Sequence, residues 1–256
     1  DGSGLYKLAI ESPDTAAVYF VSVEYDDIGY LSPMLDLKVG AVESVPSIVV
    51  YDTSYSIPEI ALRERHIIVR GEDVDGTRQI IELLTLGNSG RFTRITADTS
   101  NPVWQGVLPY GASQMTVGES EVGAGAIYNR AGHISIAAPI PPGQKQVLFS
   151  YIVPATNGSL QIPVDQSTSR LTVSLADTTA EAIGGGLLLY GVEDVGGAVF
   201  KRFDAGNVRA GTILSVEFQT AFLTVARLEI LIVSAVVLTL AGTLAWWLAQ
   251  RSGLRQ

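Results

Sequence analysis

His66 and His133 are the only two histidines in the chain, and they stand 67 residues apart. Cysteine is absent. That excludes a disulfide framework, a thiolate nucleophile and any cysteine-ligated zinc or iron–sulfur centre. The most metal-like run is Glu72-Asp73-Val74-Asp75-Gly76, whose spaced carboxylates would suit a hard cation. It lacks the remaining ligands and the closing glutamate of an EF-hand loop. It also lies between two apolar stretches, so it reads as a hairpin turn. Asp26-Asp27, ahead of Ile28-Gly29, reads the same way. The signatures GxSxG, HExxH and GxxxxGK[ST] do not occur. Gly123-Ala124-Gly125 and Gly184-Gly185-Gly186 lack the strand–GxGxxG–helix frame of a dinucleotide site and read as turns. The expectation is a protein that is not an enzyme, with no catalytic residue, no cofactor and no metal.

The elements around these residues read as strands. In Arg170–Leu175, Leu171, Val173 and Leu175 share one face and Arg170, Thr172 and Ser174 the other. The same period of two puts Val147, Phe149, Tyr151 and Val153 on one face, and Leu214, Val216 and Phe218 on another. Further strands are expected at 17–25, 47–51, 66–70, 79–86, 133–138, 187–190 and 198–203, and Leu160–Val164 can form one too. Turn signals separate them: Asp75-Gly76, Asn88-Ser89-Gly90, Pro141-Pro142-Gly143, Asn157-Gly158 and Gly196-Gly197. Ahead of residue 219 no long 3.6-residue periodicity occurs. Short strands without alternating helices predict an all-β chain of antiparallel β-sandwich modules.

One segment departs from that pattern. Ile230–Ala249 is a run of twenty residues without a charge. As a helix it is about 30 Å long, the thickness of a bilayer's hydrocarbon core. It predicts a single C-terminal transmembrane helix over about 222–250. Trp246 and Trp247 suit the membrane–water interface, and Arg251 and Arg255 follow them in a tail with no acid. All 26 acidic residues precede that tail, so the positive-inside rule puts the C-terminus in the cytoplasm and the bulk of the chain outside it. Ala235, Gly242 and Ala245 lie close to one helical stripe, where small residues let a neighbouring helix approach. Nothing in the first ten residues has the apolar run of a signal peptide, so an export signal is expected upstream of Asp1.

Composition agrees with a folded, membrane-associated chain. Hydrophobic residues make 47% and charged residues 17% of the 256, which excludes intrinsic disorder. A net charge of −9 and a pI near 4.7 argue against nucleic acid as a partner. The expected organisation is a small β module at 1–45, a β-sandwich domain at 46–155, a small β domain at 156–221, and the membrane helix with its cytoplasmic tail at 222–256. Tyr25, Tyr30, Trp104, Tyr110 and Tyr128 fall near turns, where they serve either as interface anchors or as corner packing.

Several stretches resemble a known family. DGSGLYKL, with Asp1, Gly4, Tyr6 and Leu8, resembles the D-x-x-G-x-[YF]-x-[LF] turn and strand of carboxypeptidase-regulatory-like domains, which are small transthyretin-like β-sandwiches. VYFVSVEYDDIGYLSPML at 18–35 resembles the last strands of such a domain. YDTS at 51–54, ELLTLGN at 82–88, PVWQGVLPYGA at 102–112 and PIPPGQKQVLFSYIVP at 139–154 are similar to segments of bacterial envelope proteins that join this module to a C-terminal membrane helix. The resemblance covers about two-thirds of the chain by short motifs and implies no peptidase activity. The module's earlier strands do not occur after Asp1 and would lie upstream. A single-pass subunit with outer β domains is also similar to the accessory subunits of reaction-centre–light-harvesting complexes in phototrophic bacteria.

Three functions compete. The first is a non-enzymatic subunit in the bacterial inner membrane, with its bulk in the periplasm. Its partners would be the lipid bilayer and other membrane protein subunits, a photosynthetic complex among them, which it helps assemble or stabilise. The second is a stand-alone envelope module binding glycan, peptide or a soluble protein. The third is an unrecognised enzyme. The first predicts apolar patches on the outside, the second an aromatic-lined groove, and the third a cleft with strongly perturbed titratable groups.

Overall fold

The computed structural model describes residues 6–10, 12, 14, 16–35, 45–155 and 158–219. The chain divides into two compact units, Asp1–Glu217 and Phe218–Gln256. Ala235, Gly242, Ala245, Trp246, Trp247, Arg251 and Arg255, with the whole expected membrane helix, lie outside the described residues. Among the described residues no helix is long and apolar enough to cross a membrane.

The described part is all-β. In chain order the strands are β1 (Ser22–Tyr25), β2 (Ile28–Leu31), β3 (Thr53–Ser54), β4 (Ala61–Glu72), β5 (Thr77–Asn88), β6 (Thr93–Arg94), β7 (Trp104–Val107), β8 (Ser113–Val117), β9 (Ile127–Arg130), β10 (His133–Ile136), β11 (Gly143–Pro154), β12 (Ser159–Val164), β13 (Thr168–Leu175), β14 (Glu181–Ile183), β15 (Leu188–Val195), β16 (Ala198–Val208) and β17 (Thr212–Glu217). A single 3-10 turn, Ala124–Ala126, is the one described helical element. Residues 47–51 pair with nothing as a strand, and β3, β6, β7, β8, β9 and β14 arise where no strand was expected.

The central sheet has seven strands in the order β15-β16-β13-β4-β5-β11-β8. It takes strands from both sides of the expected 155/156 boundary, so those two stretches share one sheet. All its neighbours are antiparallel except β4 and β13, which run parallel with Ile67 beside Val173 and Val69 beside Leu175. Alternation reveals which face a residue takes but not the direction of the neighbour. The buried rows explain the pairing: Phe203, Val173, Ile67, Glu82 and Phe149 lie side by side across five strands. The next row holds Leu175, Val69, Ile80 and Tyr151. Two three-stranded sheets, β12-β17-β14 and β7-β10-β9, complete the core. Leu62, Leu84 and Phe149 of the large sheet meet Trp104, Leu108 and Ile134 around one crevice.

The expected apolar faces are buried: Leu171, Val173, Leu175, Val147, Phe149, Tyr151, Leu214 and Val216 are all in the core. Phe218, one residue past β17, is half-buried. The run Glu72–Gly76 is the turn of the β4–β5 hairpin. There Gly76 takes a φ of +74° and donates its N–H to the Asp73 carbonyl. Asp26 and Asp27 form the β1–β2 turn at φ of +53° and +59°, values that aspartate tolerates better than most residues.

Candidate functional site

Three clusters of the β unit carry features beyond ordinary packing. The first is buried. Arg65 on β4 donates from Nε to Glu82 Oε2 at 2.7 Å and from Nη2 to Oε1 at 2.9 Å. Its Nη1 donates to the Pro163 carbonyl on β12 at 2.8 Å, which ties the two facing sheets together. The Tyr151 hydroxyl donates to Glu82 Oε1 at 2.6 Å. Arg65 is 5% exposed and Glu82 1%. Burial opposes the guanidinium charge, but the carboxylate and its hydrogen bonds more than offset it, so the Arg65 pKa is raised. Burial, reinforced by Glu82, pushes the Tyr151 phenol well above its ordinary value. The crevice beside them has room for about one water molecule. Both oxygens of Glu82 are taken up by Arg65 and Tyr151. The cluster is a buried tie between sheets.

Sequence analysis missed Arg65 as a core residue. The pairing of β4 with β5 shifts register between Leu62 and Glu64. That bulge inserts one residue, so Leu62 and Arg65 both turn inward despite their odd spacing. Glu82 carried a legible signal, because it is in phase with Ile80, Leu84 and Leu86. A carboxylate on such a face demands a buried cation.

The second cluster lies on the outer face of the large sheet. His66 Nε2 and Ser174 Oγ are 2.9 Å apart across the parallel β4–β13 pair. Thr172 Oγ1 donates to Asp204 at 2.7 Å, and Arg202 bridges Asp204 and Glu193 at 3.1 and 3.4 Å. A serine beside a histidine invites comparison with a nucleophilic dyad. The pair lies on a sheet face among Thr172, Ile68, Leu83 and Arg202, and the Arg202 guanidinium is already held by Asp204 and Glu193. Burial first, then Arg202, hold His66 below the ordinary imidazole value of 6.5, with Asp204 and Glu193 opposing. The native state therefore disfavours the imidazolium while the unfolded chain takes the proton normally. Stability carried by neutral His66 is complete above pH about 6.5 and is lost as pH falls below it. Urea midpoints measured between about pH 7.5 and 5.5 should fall less in His66→Gln than in the parent. Equal slopes would show that His66 titrates alike in both states.

The third cluster is apolar and exposed. β15 is one edge of the seven-stranded sheet, and its only partner among the described residues is β16. Leu188, Leu189, Tyr190, Val192 and Val195 along it are all exposed, Leu188 at 74% and Val192 at 61%. On its outer face the Arg202 guanidinium sits 4.6 Å over the Tyr190 ring. The opposite edge contrasts with it. β8 is five residues long, reads Ser-Gln-Met-Thr-Val, has a register irregularity opposite it and holds Gln114 at a φ of +49°. Those are devices that blunt an edge; β15 has the irregularity at Gly191 and two charges, Glu193 and Asp194, confined to one half, which leaves Leu188–Tyr190 uncharged. The signal in sequence was the unbroken run Leu187–Tyr190, which reads as a strand but does not alternate.

The aromatics near turns divide. Trp104 is buried and donates Nε1–H to Gln166, while Tyr30 is buried against Thr93. Tyr25 donates to Asp52 and Tyr128 to the Thr99 carbonyl. Tyr110 is fully exposed. His133 is half-buried, with Nδ1 near the Ala131 carbonyl, and does not approach His66's cluster. Among the described residues no three of the histidines and acids converge as a metal set.

The class of protein these features define is an all-β, sandwich-like unit with an apolar open edge. No family model matches the chain, and no curated relative does. Among solved structures, it is similar to the M1 zinc metallopeptidase of Deinococcus radiodurans at 12% identity and a TM-score of 0.37. A two-domain M1 zinc metallopeptidase mutant bound to L-arginine is similar at 12% and 0.38. The alignments cover 62% of this chain and 42% of theirs, so it spans less than half the length of those enzymes. At that level of similarity neither activity nor detailed topology carries over.

Proposed function

We propose that this chain is a non-enzymatic subunit of a larger membrane assembly, held in the bacterial inner membrane by Ile230–Ala249 and docking through its periplasmic β unit. The observation that carries the proposal is the apolar edge at β15. An exposed apolar strand is a standing template for pairing with another chain, and soluble monomers normally suppress it. The titratable clusters, by contrast, are closed on themselves: Glu82 on Arg65 and Tyr151, and Arg202 on Asp204 and Glu193. The resemblance of the chain to single-pass accessory subunits makes a reaction-centre–light-harvesting complex the first assembly to examine.

The test is mild detergent extraction of the full chain, with identification of the membrane proteins that copurify in fixed ratio. Leu189→Lys adds a charge to the open edge, at a residue 58% exposed, and should leave the fold intact. Loss of a stoichiometric partner in that variant supports docking through the edge. Equal copurification by both chains, or none by either, overturns the proposal.

A further inference from the structure

We infer that the first occupant of the β15 edge is a second copy of this chain, paired antiparallel about a two-fold axis at Val192. The inference rests on reading β15 as a docking edge and names what docks there. The argument is the order of charges along the strand. Its charged residues are Glu193 and Asp194, and they sit in one half. Antiparallel pairing about Val192 sets Val192 opposite Val192, and Glu193 opposite Gly191 of the second copy. No carboxylate then faces another. Shifting the axis by one residue to Glu193 sets two carboxylates directly opposite, which is unfavourable.

The glycine does more than avoid a clash. On its other side Gly191 pairs with Arg202, while Glu193 pairs with Phe200. Residues two apart on a strand share a face, so Glu193, Gly191 and Arg202 all lie on the outer face. In the paired sheet Glu193 of one copy and Arg202 of the other stand on either side of a residue with no side chain. Adjacent strands are about 4.8 Å apart, so the two backbones are roughly 10 Å apart, within reach of two long side chains meeting over the glycine. Arg202 already holds its own Glu193 at 3.4 Å, so the dimer gathers two arginines and two glutamates into one alternating cluster. The interface is isologous: each copy gives the other what it receives, and the sheet closes its open edge without starting a fibre.

The sequence contains no cysteine, so one introduced thiol reads one contact. Full chain in mild detergent, carrying Val192→Cys, should form a disulfide-linked dimer on gentle oxidation. Facing Cα atoms about 5.5 Å apart are within disulfide reach. Thr116→Cys, on the β8 edge, should stay uncrosslinked. Sedimentation of the cysteine-free chain should show a dimer. Val192→Lys, at an exposed residue, should raise the dissociation constant at least about tenfold by facing two ammonium groups, with an unchanged thermal melt. A parent chain that sediments as a monomer, or equal crosslinking at both edges, overturns the inference. If the parent is monomeric but Leu189→Lys still releases a membrane partner, the docking edge stands with a different occupant. If the dimer forms and no other protein copurifies in fixed ratio, the inference holds and the subunit proposal falls.

Discussion

Glu82→Ala is expected to lower the unfolding free energy by about 3–5 kcal/mol, the cost of stranding one member of a buried ion pair. The carboxylate takes two hydrogen bonds from Arg65 and one from the Tyr151 hydroxyl. Removing it leaves a guanidinium in a site that is 5% exposed, with the Pro163 carbonyl as its remaining partner there. The tyrosine hydroxyl loses its acceptor in the same step. Replacing both charged residues by leucine should recover most of the loss, because the desolvation of both charges is then avoided. Denaturant unfolding followed by tryptophan fluorescence, to which Trp104 beside the same crevice contributes, measures all three chains. A loss under about 1 kcal/mol in the single variant, the scale of an exposed pair, would contradict the assigned tie.

The second large effect is expected at Phe149. Its ring is buried to 1% exposure and lies 6.1 Å from the Tyr151 ring at an interplanar angle of 24°. It sits beside Glu82 on β5 and Val117 on β8. Phe149→Ala should cost about 3–5 kcal/mol, since the seven-stranded sheet resists collapse into the vacated volume. In a unit of this size that is a fall in melting temperature of about 2–4 °C per kcal/mol. Phe149→Leu keeps most of the volume and should lose much less. Equal losses in the two variants would place the effect in ring stacking instead of volume.

The two predictions differ in how far sequence alone reaches them. Phe149 was legible because Val147, Phe149, Tyr151 and Val153 alternate without interruption, and β11 holds that phase from Val147 to Val153. Arg65 was not. Its inward turn depends on a bulge, and a bulge is visible only when the partner strand shows two residues opposite one. Likewise His66 and Ser174 are 108 residues apart, and only the parallel contact of β4 with β13 brings them together. The turn at Glu72–Gly76 belongs to the legible class, because its conformation is decided by five consecutive residues.

What the sequence by itself determined is therefore local: the strand character of the chain, the inward faces of β11, β13 and β17, and the hairpin turns. Period-two alternation and turn chemistry act over a few residues, and burial then enforces one register because a one-residue slip would expose the whole apolar face. What the tertiary structure decided is non-local. It set the direction and order of the strands, merged the stretches on either side of residue 155 into one sheet, and turned Arg65 inward to meet Glu82. It also decided which apolar strand is left at an edge. Leu188 to Val195 and Leu171 to Leu175 are both apolar enough for a core, and only the strand order covers one and exposes the other.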